Sequence, residues 1–548
     1  MSRKLILITY LILALVGTLA LTSSIQLVEA KPKTWTVDDD GPADFSTIQE
    51  AVEAVDSGDT IIVLGGHYVE GQINLYKSVR LITNGSVVVD GFYAGNVFYV
   101  TADSVTICGF TILNSRYESS YAGIYITSQE NNITRNTITN NFEGIYMYDS
   151  SYNSIGENTV TDNHHGVYLD GYSSVNDING NTIKSNNYGV VVKVRDAMGI
   201  GVYGNNITNN AYTGIVIDGS SQTFIVENNI TDNKNCGVLL ASSFTSIVEG
   251  NTIENNKDLG IGVVASSNIH IRENTIRNHG DSGIFFSSSS LSMVDENNLQ
   301  NNGYGIHIKE SNRIDPYKNN ITRNDYGIYL SNYSTDNYIS INNLAFNQKG
   351  LYLEYSSDNC IWHNNLINNT DQVYSSYSLN TWNYENEGNY WSDYDGSDNN
   401  TDGLGDRPYV IDEHNQDSNP LMGLFCSFQA TTQYPIAMIS NSTISDSKFN
   451  GTAIDFYVSG ENDTIGFCRI RIPTGLMTKP FTVFVNGAEV SHDLLPCSDE
   501  TYSYLYFTYN HSTQEVVIIP EFPSLIILLL FMIATLLAVI IYRRKHSM

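Results

Sequence analysis

The sequence predicts an all-β chain whose main body is a solenoid, a parallel β-helix built from repeated coils. A glycine followed by an apolar, a variable and a second apolar residue recurs every 21 to 25 residues, and an Asn-x-Ile/Val/Leu unit recurs with it. A period of this length is too short for two helices and their turns, but it fits three short strands and three turns. The 548 residues include 42 Gly and only 11 Pro, as expected for many short strands and tight turns.

The residues one and three positions after each glycine are apolar, from Ile124 and Ile126 in the first coil to Leu351 and Leu353 in the last. Because side chains alternate across a strand, these residues are expected to point into a common core. Coils should stack about 4.8 Å apart, so that equivalent asparagines lie above one another and bond along the column. The recurring glycines are Gly123, Gly144, Gly166, Gly189, Gly214, Gly237, Gly260, Gly283, Gly305, Gly327 and Gly350.

The chain begins with a predicted secretory signal peptide, residues 1–30. A basic start precedes a long apolar run, and Ala30 closes a small-residue cleavage site. The alternative is an uncleaved membrane anchor.

Residues 45–55 predict a short amphipathic helix with Ser46 or Thr47 as its N-cap. An open solenoid end needs a cap, and this helix can supply one. The β-helix itself is predicted over residues 31–388.

The opening helix followed by Gly-Asp-Thr-Ile-Ile-Val at residues 58–63, together with the coil motif Asn-x-Ile…Asn-Asn-x-x-Gly-Ile-Tyr, resembles NosD-type proteins. The resemblance covers residues 35–422 and implies a right-handed parallel β-helix of the pectin-lyase-like fold. It is specific for fold and weak for activity, since such folds host lyases, hydrolases, epimerases and non-catalytic surface proteins. The NosD label also implies copper delivery to a periplasmic reductase.

Residues 389–422 form an acidic segment that is expected to close the solenoid. From Asp398 the pattern D-x-N-x-D-G-x-x-D matches part of a calcium loop, which makes Asp398, Asn400, Asp402 and Asp406 candidate Ca²⁺ ligands. The twelfth position is Tyr409 rather than Glu, and no flanking helices are evident. The alternative is a solvated acidic loop.

Residues 423–519 lack the repeat and alternate in the manner of strands, which predicts a small β-sandwich. Cys468 and Cys497 both lie in this region and could form a disulfide in an oxidising exterior. The sequence contains no C-x-x-C motif, so a structural zinc site is not supported.

Residues 520–548 predict a C-terminal transmembrane helix that serves as an anchor. Leu525–Tyr542 is an apolar stretch near the lower length limit for spanning a bilayer, and the basic residues 543–545 place the C-terminus in the cytoplasm. The preceding Pro-Glu-Phe-Pro at 520–523 resembles archaeal Pro-Glu-Phe sorting signals, at which an enzyme cuts and re-anchors the chain. The alternative is a plain anchor, and both place the protein at the outer cell surface.

Charge narrows the possible partners. Lys and Arg total 28 and Asp and Glu total 58, which gives a formal net charge of −30. Such a field repels phosphate backbones, so nucleic-acid binding is not expected. It suits cations and neutral or basic surfaces.

Tyrosines two positions after the glycines cluster near both ends of the solenoid. Their rings could stack on sugars, or they could reflect β-propensity and ring stacking alone. The candidate carbohydrate-stacking residues are Tyr125, Tyr146, Tyr168, Tyr329 and Tyr352.

The candidate catalytic residues lie four positions after the glycines, where Asp170, Lys193 and Asp218 occupy three successive coils with Arg195 nearby. Two carboxylates two rungs apart would be about 9.6 Å apart, near the upper limit for an inverting hydrolase. Lys193 and Arg195 could instead serve a uronate lyase as base and charge stabiliser. The alternative is a surface ion-pair column.

Ligand clustering does not support copper binding. His164 and His165 form the single adjacent pair, and the remaining histidines are dispersed over different coils.

The leading hypothesis is therefore a secreted, surface-anchored, non-catalytic protein for adhesion or carbohydrate binding, with Ca²⁺ as a candidate cofactor. The alternatives are a polysaccharide lyase or hydrolase and a NosD-like copper-binding role. Expected partners are glycans or other cell-surface components, and the membrane through the C-terminal helix.

Overall fold

The computed structural model describes residues 31–195, 197–521 and 524–545, with the side chains of the last helix described for residues 532–542. The predicted signal peptide lies outside the described residues, as do Phe522 and Pro523 of the predicted sorting signal. The described chain forms a parallel β-solenoid of the right-handed type with about 16 turns, followed by further sheets.

Three parallel sheets form the walls of the solenoid, with strands numbered in chain order. Sheet I has 14 strands, and eleven of them contain or directly follow one of the recurring glycines. Sheets II and III are joined near the N-terminus because β4 pairs with both β6 and β7.

The strands of sheet II are β1 Thr34–Val37, β2 Thr60–Val69, β4 Arg80–Asp90, β6 Thr106–Cys108, β9 Asn132–Thr134, β12 Ser154–Gly156, β15 Asp177–Asn179, β18 Gly201–Tyr203, β21 Phe224–Val226, β24 Ile247–Glu249, β27 His270–Arg272, β30 Ser290–Asp295, β33 Asn312–Tyr317, β36 Tyr338–Ser340 and β39 Cys360–Trp362. The strands of sheet I are β3 Ile73–Leu75, β5 Phe98–Val100, β8 Ala122–Ile126, β11 Glu143–Tyr148, β14 His165–Gly171, β17 Tyr188–Val194, β20 Ile215–Asp218, β23 Val238–Ala241, β26 Ile261–Val264, β29 Ser282–Ser287, β32 Tyr304–Lys309, β35 Tyr326–Ser331, β38 Lys349–Glu354 and β41 Asp371–Ser376. The strands of sheet III are β7 Thr111–Leu113, β10 Thr137–Thr139, β13 Thr159–Thr161, β16 Thr182–Lys184, β19 Asn206–Thr208, β22 Asn229–Thr231, β25 Thr252–Glu254, β28 Thr275–Arg277, β31 Asn298–Gln300, β34 Asn320–Thr322, β37 Asn343–Ala345, β40 Asn365–Ile367 and β42 Tyr390–Trp391.

The predicted inward face of the coils is confirmed. Ile145, Val167 and Val190 stand in register on successive strands of sheet I, and each is fully buried. Leu351 and Leu353 in the last predicted coil are equally buried. The bore of the solenoid is thus one continuous apolar column.

The asparagines of successive coils form buried ladders. The Asn205 backbone N–H donates to Asn228 Oδ1 at 2.9 Å, and the Asn228 N–H donates to Asn251 Oδ1 at 2.8 Å. The Asn228 side-chain amide donates to Asn251 Oδ1 and to Val202 O. Each asparagine therefore satisfies buried backbone groups at a turn that no strand can pair.

The N-terminal end of the solenoid carries helix α1, Ile48–Ala54. Thr47 is its N-cap and accepts a hydrogen bond from the Glu50 N–H at 3.2 Å. Ile48, Ala51 and Val52 are buried against the first coils, so the helix covers the open end as predicted.

Two antiparallel five-stranded sheets follow a short hairpin, β43 Tyr409–Val410 with β44 Gln416–Asp417, and share one hydrophobic core. One sheet contains β45 Leu424–Thr431, β46 Tyr434–Ser440, β49 Ile465–Pro473, β53 Tyr502–Asn510 and β52 His492–Leu494. The other contains β47 Thr443–Phe449, β48 Ile454–Ser459, β54 Gln514–Pro520, β50 Phe481–Val485 and β51 Ala488–Val490.

The structure does not form the Cys468–Cys497 disulfide that the sequence allowed. Both residues are free cysteines. Cys468 is fully buried in the core shared by the two sheets, whereas Cys497 is exposed and lies 3.9 Å from the Arg469 guanidinium. The sequence shows that the two cysteines lie in the same domain, but it does not show on which side of the sheet each thiol lies.

A buried ionic cluster joins the C-terminal sheets to the last coils. Arg469 donates to Glu387 Oε1 at 2.6 Å, and His363 Nε2 lies 2.9 Å from Glu387 Oε2. These three side chains are at most 7 % exposed. Arg469 also donates to the Asp402 carbonyl, which ties the closing segment to the same strand.

The described chain ends in helix α2, Ser524–Lys545. Among the residues that the structure describes, no helix is both long enough and apolar enough to cross a membrane. The predicted transmembrane anchor is therefore not confirmed, and its N-terminal half lies in the part whose side chains are not described.

Candidate functional site

The outward face of sheet I brings together three of the four predicted catalytic residues. Asp170 lies opposite Lys193, and Lys193 lies opposite Asp218, on three neighbouring strands. Arg195 follows the strand on an exposed turn. Among the described residues no ion pair within 4 Å involves Lys193, so the column is not the salt-bridge ladder considered as the alternative.

Asp170 is surrounded by tyrosines. The Tyr146 and Tyr168 hydroxyls donate to Asp170 Oδ2 at 3.4 and 3.5 Å. Burial and the neighbouring Asp170 charge raise the pKa of Tyr168 to about 12, so this hydroxyl stays protonated at neutral pH and acts as a donor. The Gly171 N–H donates to Asp170 Oδ1 at 2.7 Å, so both oxygens of this carboxylate already accept hydrogen bonds.

The predicted sugar-stacking tyrosines stack on one another. Tyr125, Tyr146 and Tyr168 lie on three successive strands with ring centroids 4.9 and 5.1 Å apart and ring planes 10° apart. Tyr99 covers the outer face of Tyr125. Because neighbouring rings occupy these faces, the tyrosines present edges and hydroxyls to solvent, which disfavours the predicted stacking on sugars.

The second predicted group behaves in the same way. Tyr329 stacks on His307 at 4.6 Å, and Tyr352 stacks on Tyr374 at 4.6 Å. Lys349 Nζ lies 4.4 Å from the Tyr352 ring centroid. The faces of these rings are likewise taken up within the protein.

A different tyrosine ladder is exposed at a corner of the last coils. Tyr333, Tyr355 and Tyr377 are 78 %, 44 % and 77 % exposed. The rings of Tyr355 and Tyr377 are stacked 4.9 Å apart and are nearly parallel. Among the described residues no second ring packs on Tyr377, so its other face is open.

Tyr377 also lines a cleft of about 1010 Å³ between the last coil and the turn at residues 412–414. This Tyr377 cleft is lined by Ser357, Ser375, Ser376, Tyr377, Ser378, Leu379, Asp412, Glu413 and His414. The Asp412 carboxylate already accepts hydrogen bonds from the backbone N–H groups of His414 and Asn415. Glu413 and His414 form an exposed pair at 3.2 Å.

Three side chains of types that can ligate a metal meet on sheet I. Glu143 on β11 lies opposite His165 on β14, and His165 Nδ1 is 2.6 Å from Glu143 Oε2. His164 Nδ1 lies 3.4 Å from His165 Nδ1. The three ligand atoms lie within 4.8 Å of one another, so the expectation that metal ligands do not cluster is wrong at this position.

Burial sets the charge state of this cluster. Burial raises the pKa of Glu143, while its hydrogen bond with His165 opposes that shift. Burial and the neighbouring His165 lower the pKa of His164. A neutral His164 offers an unprotonated ring nitrogen at neutral pH.

Four other histidines on the coils are engaged separately. His270 pairs with Asp295, His279 lies within an asparagine ladder, His307 contacts Ser331, and His363 binds Glu387. They lie on different coils and do not form a second histidine cluster within the described residues.

The predicted calcium loop is held by its own hydrogen bonds. Asp398 accepts from the backbone N–H groups of Asp402 and Gly403, Asn400 donates to Asp402, and Asp406 accepts from Asn399. Asp398, Asp402 and Asp406 are not among the groups of described residues whose ligand atoms converge. Calcium binding at this loop stays a prediction.

Sequence reasoning missed Glu143 and Tyr377. Glu143 is 22 residues before His165, one coil away, but it occupies the position before the glycine, which the repeat analysis did not examine. Tyr377 lies beyond the last recurring glycine. The spacing between coils could have identified Glu143 as a neighbour of His165. The open face of Tyr377 could not be predicted in this way, because it depends on which tyrosine is the last in the stack.

Several solved structures are similar to this chain, each at less than 20 % identity. The periplasmic alginate epimerase AlgG is 18 % identical, with 47 % of this chain and 78 % of that chain covered and a TM-score of 0.32. The A-module of the Azotobacter vinelandii mannuronan C-5 epimerase AlgE4 is 14 % identical, with coverages of 61 % and 93 % and a TM-score of 0.36. The catalytic domain of a GH87 alpha-1,3-glucanase, in complex with tetrasaccharides, is 15 % identical, with coverages of 66 % and 70 % and a TM-score of 0.45. At these identities the likeness concerns the fold alone.

A comparison with curated protein sequences finds no match. The sequence model of one family, described as "Periplasmic copper-binding protein (NosD)", matches residues 47–213, 192–325 and 317–396. Together these segments make up more than half of the chain and span nearly the whole solenoid. The chain therefore belongs to the NosD family.

Proposed function

We propose that this protein is a carbohydrate-binding β-helix of the cell exterior, which binds neutral glycans in the Tyr377 cleft without cleaving them. The observation that carries the proposal is the open ring face of Tyr377 beside a polar cleft. An aromatic face packs well against the apolar C–H face of a sugar ring, and a few polar groups around it bind the hydroxyls.

The polar groups of the cleft suit hydroxyl groups. Ser376 lines the cleft with a hydroxyl, and the Glu413 carboxylate accepts hydrogen bonds from hydroxyl donors. The net charge of −30 and the exposed Glu413 disfavour polyanionic glycans. Neutral polysaccharides are therefore the preferred ligand class.

The same residues argue against hydrolysis in this cleft. Glycoside hydrolysis uses a pair of free carboxyl groups on either side of the scissile bond. Asp412 is occupied by backbone N–H groups, and the remaining carboxylate of the lining, Glu413, is paired with His414. Binding is the function that the lining supports.

We place this binding outside the cell. The family description is periplasmic, and the sequence of residues 520–548 predicts an anchor at the outer surface.

The test is a glycan array with the full-length, detergent-solubilised chain, followed by calorimetry on the glycans that bind. Tyr377→Ala should weaken binding by about tenfold or more, since an aromatic contact of this kind contributes about 1.4 kcal/mol. Tyr333→Ala is the matched control because Tyr333 is equally exposed but does not line the cleft. Equal binding by both variants, or no glycan binding by the wild type, would contradict the proposal.

The enzyme alternative is decided on the same glycans. Reducing ends and unsaturated products are measured after incubation with the wild type and with Lys193→Ala. We expect no product from either protein. Turnover that Lys193→Ala abolishes would replace the binding proposal with a polysaccharide-cleaving enzyme that acts at Asp170, Lys193 and Asp218.

A further inference from the structure

The last coil continues from the Tyr377 cleft towards sheet II along a segment without charged side chains. Residues 372–384 contain no Asp, Glu, Lys or Arg, although the whole chain has a formal net charge of −30. The segment is instead made of serine, threonine and asparagine interspersed with tyrosine and tryptophan. Hydroxyl, amide and aromatic groups without charges suit a neutral ligand better than an ionic one.

The exposed side chains of this segment lead from the cleft onto sheet II. Tyr377 and Leu379 line the cleft and are 77 % and 58 % exposed. Thr381 is exposed and lies in register with Cys360 of β39, and Tyr384 beyond it is 52 % exposed. Tyr384 is seven residues after Tyr377, so the path between them is at most about 25 Å long. The cleft therefore has an exposed continuation on the same coil.

Three aromatic rings meet at an angle where this path reaches sheet II. The Trp362 ring centroid lies 5.3 Å from that of Tyr384 with the planes 41° apart, and 6.2 Å from that of Tyr338 with the planes 88° apart. Tyr338 is 50 % exposed, and Trp362 is partly exposed. Unlike the nearly parallel tyrosines of sheet I, rings at these angles do not cover one another's faces. Tyr338, Trp362 and Tyr384 form the Trp362 patch.

The coil repeat does not require a tryptophan at this position. The residues in register with Trp362 on the three preceding strands of sheet II are Ser340, Tyr317 and Asp295. The position points outward, and the solenoid folds with a small polar, an aromatic or a charged side chain there. A contiguous exposed apolar patch on an otherwise polar surface marks a surface that binds a ligand or a partner.

We propose that the Trp362 patch is a second subsite for the glycan that occupies the Tyr377 cleft. The ligand is then an extended neutral polysaccharide rather than a single sugar or a disaccharide. This inference rests on the proposed function. One sugar ring would pack on Tyr377 and a later ring of the same chain on the Trp362 patch, with Leu379 and Thr381 between them. Because both subsites bind one chain, the second contact is intramolecular and adds affinity efficiently.

The test compares disaccharides with hexasaccharides of the neutral glucan, mannan and chitin series, titrated by calorimetry into the full-length, detergent-solubilised chain. In a series that binds, the hexasaccharide should bind about tenfold more tightly or better, since a further aromatic contact contributes about that factor. Trp362→Ala and Tyr384→Ala should each reduce the affinity for the hexasaccharide towards that for the disaccharide. Tyr377→Ala should weaken the binding of both ligands.

Tryptophan emission reports the second contact separately. Trp382 and Trp391 are 2 % and 1 % exposed, and Trp35 lies on the first strand of the solenoid. Trp362 is therefore the tryptophan that a ligand on this path would touch. Hexasaccharides should change the emission and disaccharides should not. Trp362→Phe keeps an aromatic ring, so it should retain the tighter binding of hexasaccharides and lose the emission change.

The matched control is Tyr203→Ala. Tyr203 holds the strand position of Trp362 seven strands earlier in sheet II, roughly 34 Å away at the strand spacing of a β-sheet. This variant should bind hexasaccharides as the wild type does. Should Trp362→Ala perturb folding, Tyr384→Ala decides, because the Tyr384 side chain is half exposed.

Two failures are distinguishable. Equal affinity of the wild type for disaccharides and hexasaccharides, or a gain that survives both Trp362→Ala and Tyr384→Ala, would overturn this inference and leave the proposed function standing. Absence of glycan binding by the wild type would overturn both.

Discussion

At the scale of single residues, the asparagine ladders explain why the coils stack so regularly. In one ladder a histidine takes the place of asparagine, with Asn256 on the coil before it and Asn302 on the coil after it. His279 Nδ1 lies 3.0 Å from Asn256 O, and Nε2 lies 3.1 Å from Ile253 O. A neutral imidazole can donate to only one of these carbonyls, and it offers no side-chain oxygen to the Asn256 N–H.

His279→Asn is therefore expected to stabilise the protein. The new side-chain oxygen restores the missing link in the ladder, which contributes about 1 kcal/mol to the free energy of unfolding. Burial lowers the pKa of His279, so the unfolded chain takes up a proton more readily as the pH falls below about 6.5. Proton uptake by the unfolded chain at this position therefore lowers the free energy of unfolding of the wild type at acid pH, and it does not do so in the variant.

Urea denaturation of both proteins near neutral pH and near pH 5 measures this difference. The advantage of the variant should be present at neutral pH and larger at the lower pH. A variant that is no more stable at either pH would show that the imidazole fits the ladder as well as asparagine does.

At the scale of the element, each coil depends on close approach between neighbouring backbones. A Cβ atom at Gly305 would lie 2.5 Å from the carbonyl oxygen of Gly327 on the next coil and 2.5 Å from the Ile321 side chain. Glycine is therefore required at this position by packing between coils. It is not required by the backbone conformation, since Gly305 is not left-handed. This close approach explains why a glycine recurs every 21 to 25 residues in the sequence.

Gly305→Ala should lower the free energy of unfolding by about 3 kcal/mol, at the upper end of ordinary overpacking costs. Gly204→Ala is the control, because Gly204 has a φ of +58° but no atom within 4 Å of an added Cβ. Its cost is about 1 kcal/mol from backbone strain alone. Denaturation midpoints of the two variants measure the contrast, and equal losses would show that spacing between coils does not constrain this column.

The sequence predicted the elements well but predicted their outward surfaces less well. The alternation after Gly144 and Gly166 gave Ile145 and Val167 their inward positions, because strand geometry leaves one choice. The faces of Tyr146 and Tyr168 could not be predicted, because ring orientation depends on neighbours one coil away. Predicting the contact between Glu143 and His165 required the register between coils, which could have been obtained from the repeat length.

At the scale of the whole molecule, the solenoid and the C-terminal sheets meet at the buried cluster of His363, Glu387 and Arg469. Burial raises the pKa of Glu387, but the hydrogen bond from His363 and the charge of Arg469 outweigh it and lower the pKa to about 2. A carboxylate with a depressed pKa stabilises the folded state above its unfolded-state pKa and loses that contribution as the pH falls. The junction is thus expected to weaken in acid, from about pH 4.5 downwards.

Arg469→Met tests whether this cluster holds the two parts together. Removing one partner of a buried ion pair leaves Glu387 charged without its guanidinium, which costs about 3–5 kcal/mol. Arg471→Met is the matched control on the same strand, because its partner Glu385 is 52 % exposed and the pair at 3.2 Å is open to solvent on that side. Such a pair contributes at most about 1 kcal/mol.

The loss should appear as a separate early transition of the C-terminal sheets in thermal unfolding, with proteolysis beginning in the segment between residues 389 and 422. The coils have their own continuous core and their own asparagine ladders, so the later transition of the solenoid should be unchanged. If Arg469→Met and Arg471→Met unfold alike in a single transition, the apolar contacts around Leu421 and Phe425 hold the junction. The ionic cluster would then set only its orientation.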